Sequence, residues 1–175
     1  MNPKFWHAKG LTYETHADNI EDDAETERHL VGQAILMFEK SQECSEHFLT
    51  AIYHHGLMQR RIGEHHNALR SFRKVMVKLP EDKTIHYQRG LVYQDMGNHQ
   101  LAITDFNMAI RLDPDYAEAL FHRASSLRER HFLKEALTDY DKALARATDD
   151  RLARQILNGQ GLCFTAQTEY DKAEY

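Results

Sequence analysis

Small and apolar residues recur along this chain with a step of 34 residues. Ala34, Ala68, Ala102 and Ala136 form one column, and four residues after each comes an aromatic: Phe38, Phe72, Phe106 and Tyr140. Gly56, Gly90 and Ala124 form a third column, Gly63, Gly97 and His131 a fourth, and Pro80 and Pro114 recur near the ends of two units. A period of this length in these residue types predicts an all-α chain of repeated helix–turn–helix hairpins. Glycine or alanine in the first helix, facing alanine in the second, lets two backbones approach closely. The aromatic one turn on lies on the same face and fills the space toward the next hairpin. Gly63 and Gly97 suit the left-handed conformation that ends a helix, and Asp113 with Pro114 suits a helix start.

The columns divide the chain into units at 3–48, 49–82, 83–116 and 117–150, with an incomplete one at 154–175 after a three-residue slip. The last unit is anchored by Gly161, Phe164 and Ala173, so its second helix is expected to be cut off near Ala173. With no polar capping helix after it, the chain reads as a length of a longer array. The first unit carries an acidic insert near 16–29, within ETHADNIEDDAETERHL, and its second helix is expected from about Val31 to Cys44.

These residues resemble the tetratricopeptide repeat (TPR), with its pattern W-x2-L-G-x2-Y, then Ala, Phe and Pro. Trp6, Gly10 and Tyr13 match its first half, with Lys9 in place of leucine. Gly90, Tyr93, Gly97, Ala102, Phe106, Ala109 and Pro114 match nearly all of it. Gln59 stands where an aromatic is usual, Val75 where a small residue is usual, and Thr148 where a closing proline is usual. The resemblance implies an antiparallel helix-hairpin (αα) superhelix, a solenoid of about four and a half repeats.

Charge narrows the partners. The net charge is −5, with 4 Lys/Arg against 10 Asp/Glu in residues 1–48 and 6 against 3 in residues 49–82. No basic stripe runs the length of the chain, which argues against nucleic acid. No apolar run spans a bilayer, and the first ten residues have no signal-peptide core, so no membrane partner is expected. Cys44 and Cys163, the only cysteines, stand outside any CxxC spacing, which suits a reducing, intracellular and cytoplasmic setting, with cytoskeleton or cilium as variants.

Chemistry finds no foothold in the sequence. His54–His55 and His65–His66 are adjacent pairs, the second placed in a turn after Gly63, and neither has the spacing of a metal site. A calcium loop begun at Asp18 would put Ile20 at its third position and Asp23 where glycine must turn. The acidic stretch reads instead as a solvated extension of the first hairpin. No nucleophile elbow or phosphate-cradling loop is present. No catalytic residue, metal or cofactor is expected, and the chain is not expected to be an enzyme.

The first helices of successive units line the concave face in the family. Three columns fall there: Tyr53, Tyr87 and Phe121; Leu57, Leu91 and Ser125; Arg60, Gln94 and Arg128. An apolar stripe edged by donors suits a peptide or helix with apolar anchors and acidic flanks. Chaperone-binding members grip a carboxylate with Lys, Asn and Arg. The matching positions here hold Tyr53, Leu57, Gln88, Glu118 and His122, or one unit earlier His7, Leu11, His54, Thr84 and Gln88, so no such clamp is expected. The expected function is a scaffold or adaptor that holds a protein or peptide in this groove. The alternative is a structural segment of a cytoskeletal or ciliary assembly, touching neighbours by edges and ends. Self-association through the unfinished C-terminal repeat is a further expectation.

Overall fold

The computed structural model describes residues 2–19, 24–44 and 49–173. Nine helices are seen among them, α1 Pro3–Asp18, α2 Ala24–Cys44, α3 Leu49–Arg61, α4 His65–Lys78, α5 Lys83–Asp95, α6 His99–Leu112, α7 Ala117–Glu129, α8 Leu133–Leu144 and α9 Asp150–Ala173, and no strand. They form two compact units, Met1–Pro80 and Glu81–Tyr175. In the first, α1 packs on α2, α2 on α3 and α3 on α4. In the second, each helix packs on the next from α5 to α9, and α7 also touches both α5 and α9. Among the described residues no helix is long and apolar enough to cross a membrane.

The repeat columns are the core. Ala34, Ala68, Ala102 and Ala136 are fully buried, and so are Phe38, Phe72 and Phe106, with Tyr140 at 1% exposure. The aromatic ring presses into the backbone of the paired first helix. A Cβ on Gly10, Gly56 or Gly90 would lie 2.6, 2.9 and 2.6 Å from the ring of Phe38, Phe72 and Phe106 respectively. No real Cβ tolerates such distances, so glycine there is a packing requirement. The turn column is equally physical: Gly63 and Gly97 have φ of +80° and +71°, and His131 adopts +63°.

Three helix starts, those of α1, α5 and α6, carry side-chain caps. Asn2, Asp82 and Asn98 accept from the backbone N–H of Lys4, Thr84 and Leu101 at 3.0, 2.8 and 3.3 Å. Asp113 and Pro114 depart from expectation, since α7 begins only at Ala117. Asp113 instead ends α6, and its carboxylate accepts from Asp115 N–H at 3.1 Å and from Lys83 Nζ at 2.5 Å. Where the fourth unit lacks its proline, Asp149 accepts from Leu152 N–H at 2.7 Å and starts α9.

Two expected boundaries are corrected. In the first unit, α2 begins at Ala24 rather than Val31. The insert is mostly helix, lengthening both arms of the hairpin. Glu25 and Glu27 lie in the first turn of α2, where the helix dipole favours them. Glu21, Asp22 and Asp23 lie outside the described residues. At the other end, Ala173 does not open a second helix, because α9 runs unbroken from Asp150 through it. The position equivalent to Gly63, Gly97 and His131 is Thr168, and a β-branched residue resists the left-handed turn. Gly161 and Phe164 are exposed rather than anchored, whereas Gly159 meets the Tyr140 ring, 2.6 Å from the place of its Cβ.

Candidate interaction face

The first-helix aromatics sit on the second-helix aromatics of the same hairpin. Ring centroids are 5.9 Å apart for Tyr53 and Phe72, 6.1 Å for Tyr87 and Phe106, and 6.0 Å for Phe121 and Tyr140. Tyr53, Tyr87 and Phe121 are each half-buried, so one side of each ring is committed to the core.

The second column divides. Leu57 is half-buried, but Leu91 is 5% exposed and packs with Ala102 and Phe106, so it supports the face from beneath. The Ser125 hydroxyl donates to Phe121 O and accepts from the Tyr140 hydroxyl, each at 3.1 Å. The donors are largely engaged too. Gln94 Nε2 donates to the His122 carbonyl at 3.2 Å and to Ser126 Oγ at 3.0 Å, while its Oε1 accepts from His122 Nδ1 at 2.8 Å. Arg128 Nη2 donates to Glu129 at 2.6 Å, and Arg60 is half-buried.

His122, one of the positions tested for a clamp, is therefore structural. It stacks on Phe106 at 6.0 Å, meets Phe121 and Tyr87 edge-on at 4.9 and 5.7 Å, and is held by Gln94. His54 repeats this in the first unit: it stacks on Phe38 at 5.5 Å and its Nδ1 donates to Glu14 at 2.8 Å. His7 lies 5.5 Å from His54, and burial, then the charge of His54, lower its pKa.

Reading the sequence by apolar columns missed a polar pair. Arg89 grips Asp105 through Nε at 2.7 Å and Nη2 at 2.5 Å, and Arg123 grips Asp139 at 2.6 Å through both. Asp105 and Asp139 are 2% and 3% exposed, so in each of these two hairpins a buried carboxylate is held by a half-buried bidentate arginine. Donating to the Asp105 carboxylate holds the Arg89 pKa above its ordinary value. The signal was present, because Arg89 and Arg123, like Asp105 and Asp139, stand 34 residues apart. One unit earlier the same columns hold His55 and Ser71. There Ser71 Oγ donates instead to Gln59 Oε1 at 2.8 Å, which accounts for Gln59 at an aromatic position. His55 lies 3.6 Å from Glu39, and burial lowers its pKa to about 4.

The acidic hairpin extension also has an internal occupant. Arg61 Nε donates to Glu27 at 2.8 Å and Nη2 to the Ala17 carbonyl at 3.0 Å, and Nη1 pairs with Asp18. His65 and His66 belong to the first turn of α4 rather than to the preceding turn. Among the described residues no three His, Cys, Asp or Glu side chains converge as a metal site. Cys163 is buried, and that burial raises its pKa; nothing is described for the Cys44 side chain.

Antiparallel helix hairpins stacked through small-residue and aromatic columns define a helical-repeat protein, a class built for contact with other proteins. The chain belongs to the tetratricopeptide-repeat superfamily, whose repeat pattern matches residues 84–116 and again 121–175. Its fold is similar to that of MamA, with 19% identity, a TM-score of 0.71, and coverage of 98% of this chain and 89% of MamA. The first TPR of Spaghetti (RPAP3), solved bound to the HSP90 peptide SRMEEVD, is 20% identical with a TM-score of 0.63, covering 69% of this chain and 93% of that one. The Yersinia enterocolitica type III secretion chaperone SycD, solved with a peptide of the translocator YopD, is 20% identical with a TM-score of 0.64, covering 68% and 94%. No curated protein matches the chain in sequence.

Proposed function

We propose that this chain is a non-catalytic scaffold that holds a peptide or helix of a partner protein on its first-helix face. The observation that carries the reading is the pair Tyr87 and Phe121 on the neighbouring helices α5 and α7. Each ring is half-buried on a fixed aromatic, which presents a rigid, preorganised anchor surface. Rigid aromatics of this kind supply binding area at low entropic cost. Arg128 at the edge supplies positive charge for an acidic flank. In the compact unit Met1–Pro80, Tyr53, Leu57 and Arg60 form the matching surface on α3. RPAP3 and SycD take peptides on the same type of fold, which supports a peptide as the class of ligand. His122, locked to Gln94, argues that recognition rests on apolar anchors rather than on a gripped terminal carboxylate.

Selection from a displayed peptide library tests this. The natural chain should enrich peptides with apolar anchors, and Tyr87→Ala with Phe121→Ala should lose them while circular dichroism stays helical. An unchanged selection by the folded double variant would sink the groove reading.

A further inference from the structure

Helix α4 carries a face that its own hairpin does not use. Its core side is set by Ala68, Ser71, Phe72 and Val75, all buried. On the opposite arc Arg70, Arg73, Lys74 and Lys78 are exposed, and α4 holds no acidic residue. At 3.6 residues per turn the four cations fall within an arc of about 140° and along about 12 Å of the axis. Val77, 73% exposed, lies inside the same arc. Among the described residues none of the four pairs with a carboxylate, whereas Arg61 of the same compact unit is gripped by Asp18 and Glu27. Like charges three and four residues apart repel, so Arg70 with Arg73 and Lys74, and Lys74 with Lys78, weaken the helix they stand on. Lys78 in the last turn suits the helix dipole, but the other three stand too far from that end to gain by it. Nor does the repeat demand them, since the same columns of α6 hold Thr104, Asn107, Met108 and Leu112.

We propose that this face docks an acidic helix of a partner protein. Carboxylates at spacings of three and four along such a helix meet the four cations, and an apolar side chain among them meets Val77. The planar guanidinium groups of Arg70 and Arg73 match a carboxylate, which each can bind through two hydrogen bonds. A nucleic acid fits less well, because the stripe is short and residues 1–48 of the same compact unit carry 10 Asp/Glu against 4 Lys/Arg. A bilayer surface fits less well too, because α4 spends its apolar face in the core and leaves only Val77 on the basic arc. The site lies on a different helix from Tyr53, Tyr87 and Phe121, and it stands independently of the peptide-binding face.

Titration of the full chain into a labelled synthetic helix, with glutamates at i, i+4 and i+7 around one leucine, tests the docking. A scrambled peptide of the same composition is the control, and the patterned helix should bind about tenfold more tightly. Arg70→Gln with Lys74→Gln should weaken that binding by about tenfold. Its Tm should hold or rise, because the change removes like-charge contacts within α4. Val77→Ser should weaken binding by about threefold. Equal binding of the two peptides, or unchanged binding by the Arg70 and Lys74 variant, overturns the proposal. Tyr87→Ala with Phe121→Ala should bind the patterned helix as the natural chain does. A loss there places the peptide on the first-helix face and overturns the proposal as well. Single-stranded DNA or phosphatidylserine vesicles bound more tightly than the patterned helix would make α4 a polyanion or membrane site, and the acidic-helix reading wrong.

Discussion

At residue scale the governing event is a ring laid on a glycine. Gly90→Ala should destabilise the fold by about 1–2 kcal/mol, since overpacking costs ~1–3 and helix propensity returns up to ~1. Chemical denaturation of the full chain reads this directly. His131 presents the opposite case, a side chain held at φ +63° where two other units use glycine. His131→Gly should stabilise by about 1 kcal/mol, the strain released exceeding the glycine entropy cost. Such positions were legible in the sequence, because close approach and positive φ leave small residues in register. Arg89 and Asp105 were legible only in principle. Polar surface residues repeat in many columns, and only burial of the carboxylate distinguishes a bolt from a solvated pair. Arg89→Met should leave Asp105, at 2% exposure, without its bidentate partner and with His86 Nδ1 3.6 Å away, and cost about 3 kcal/mol, measured by thermal unfolding.

At the scale of elements, the hairpins with standard spacing could be read from columns alone, while both irregular ends could not. The acidic stretch has few apolar residues to mark a period, yet α1 and α2 extend through much of it because Arg61 reaches across from α3 to Asp18, Glu27 and the Ala17 carbonyl. Arg61→Ala should therefore speed hydrogen exchange at residues 14–19 and 24–30 and cost about 1 kcal/mol, the scale of a half-exposed ion-pair cluster. Unchanged exchange there would show that the extension holds itself. At α9 the apolar column supplied the start of a hairpin, but a reversal needs a residue that accepts positive φ, and Thr168 does not. The face columns were read as sequence positions one period apart. That Leu91 is buried and Gln94 is tied to His122 depends on packing between neighbouring helices, which a one-dimensional period does not contain.

At the scale of the whole molecule, the two units carry different electrostatics at their cores. Glu81–Tyr175 has both Arg–Asp bolts, whereas the same columns in Met1–Pro80 hold His55 and Ser71. The His55 pKa is lowered to about 4, with burial as the main cause, then raised by Glu64 and lowered by Lys74. The unfolded chain, with histidine near its ordinary value, takes the proton first. Stability should consequently fall as pH drops below about 6.5, and the loss should level off near 4. Hydrogen exchange followed by region should show residues 49–78 opening first on acidification. His55→Arg with Ser71→Asp, which copies the bolt of the other unit, should flatten that dependence.

The glycine seats also have a spectroscopic consequence. An aromatic ring so near a backbone carbon imposes its ring current on that glycine's α protons. Gly10, Gly56, Gly90 and Gly159 should therefore resonate away from ordinary helical values, each reporting the closure of its own seat. Gly161, with no described atom within 4 Å of where its Cβ would stand, should keep ordinary helical values and serve as the internal reference.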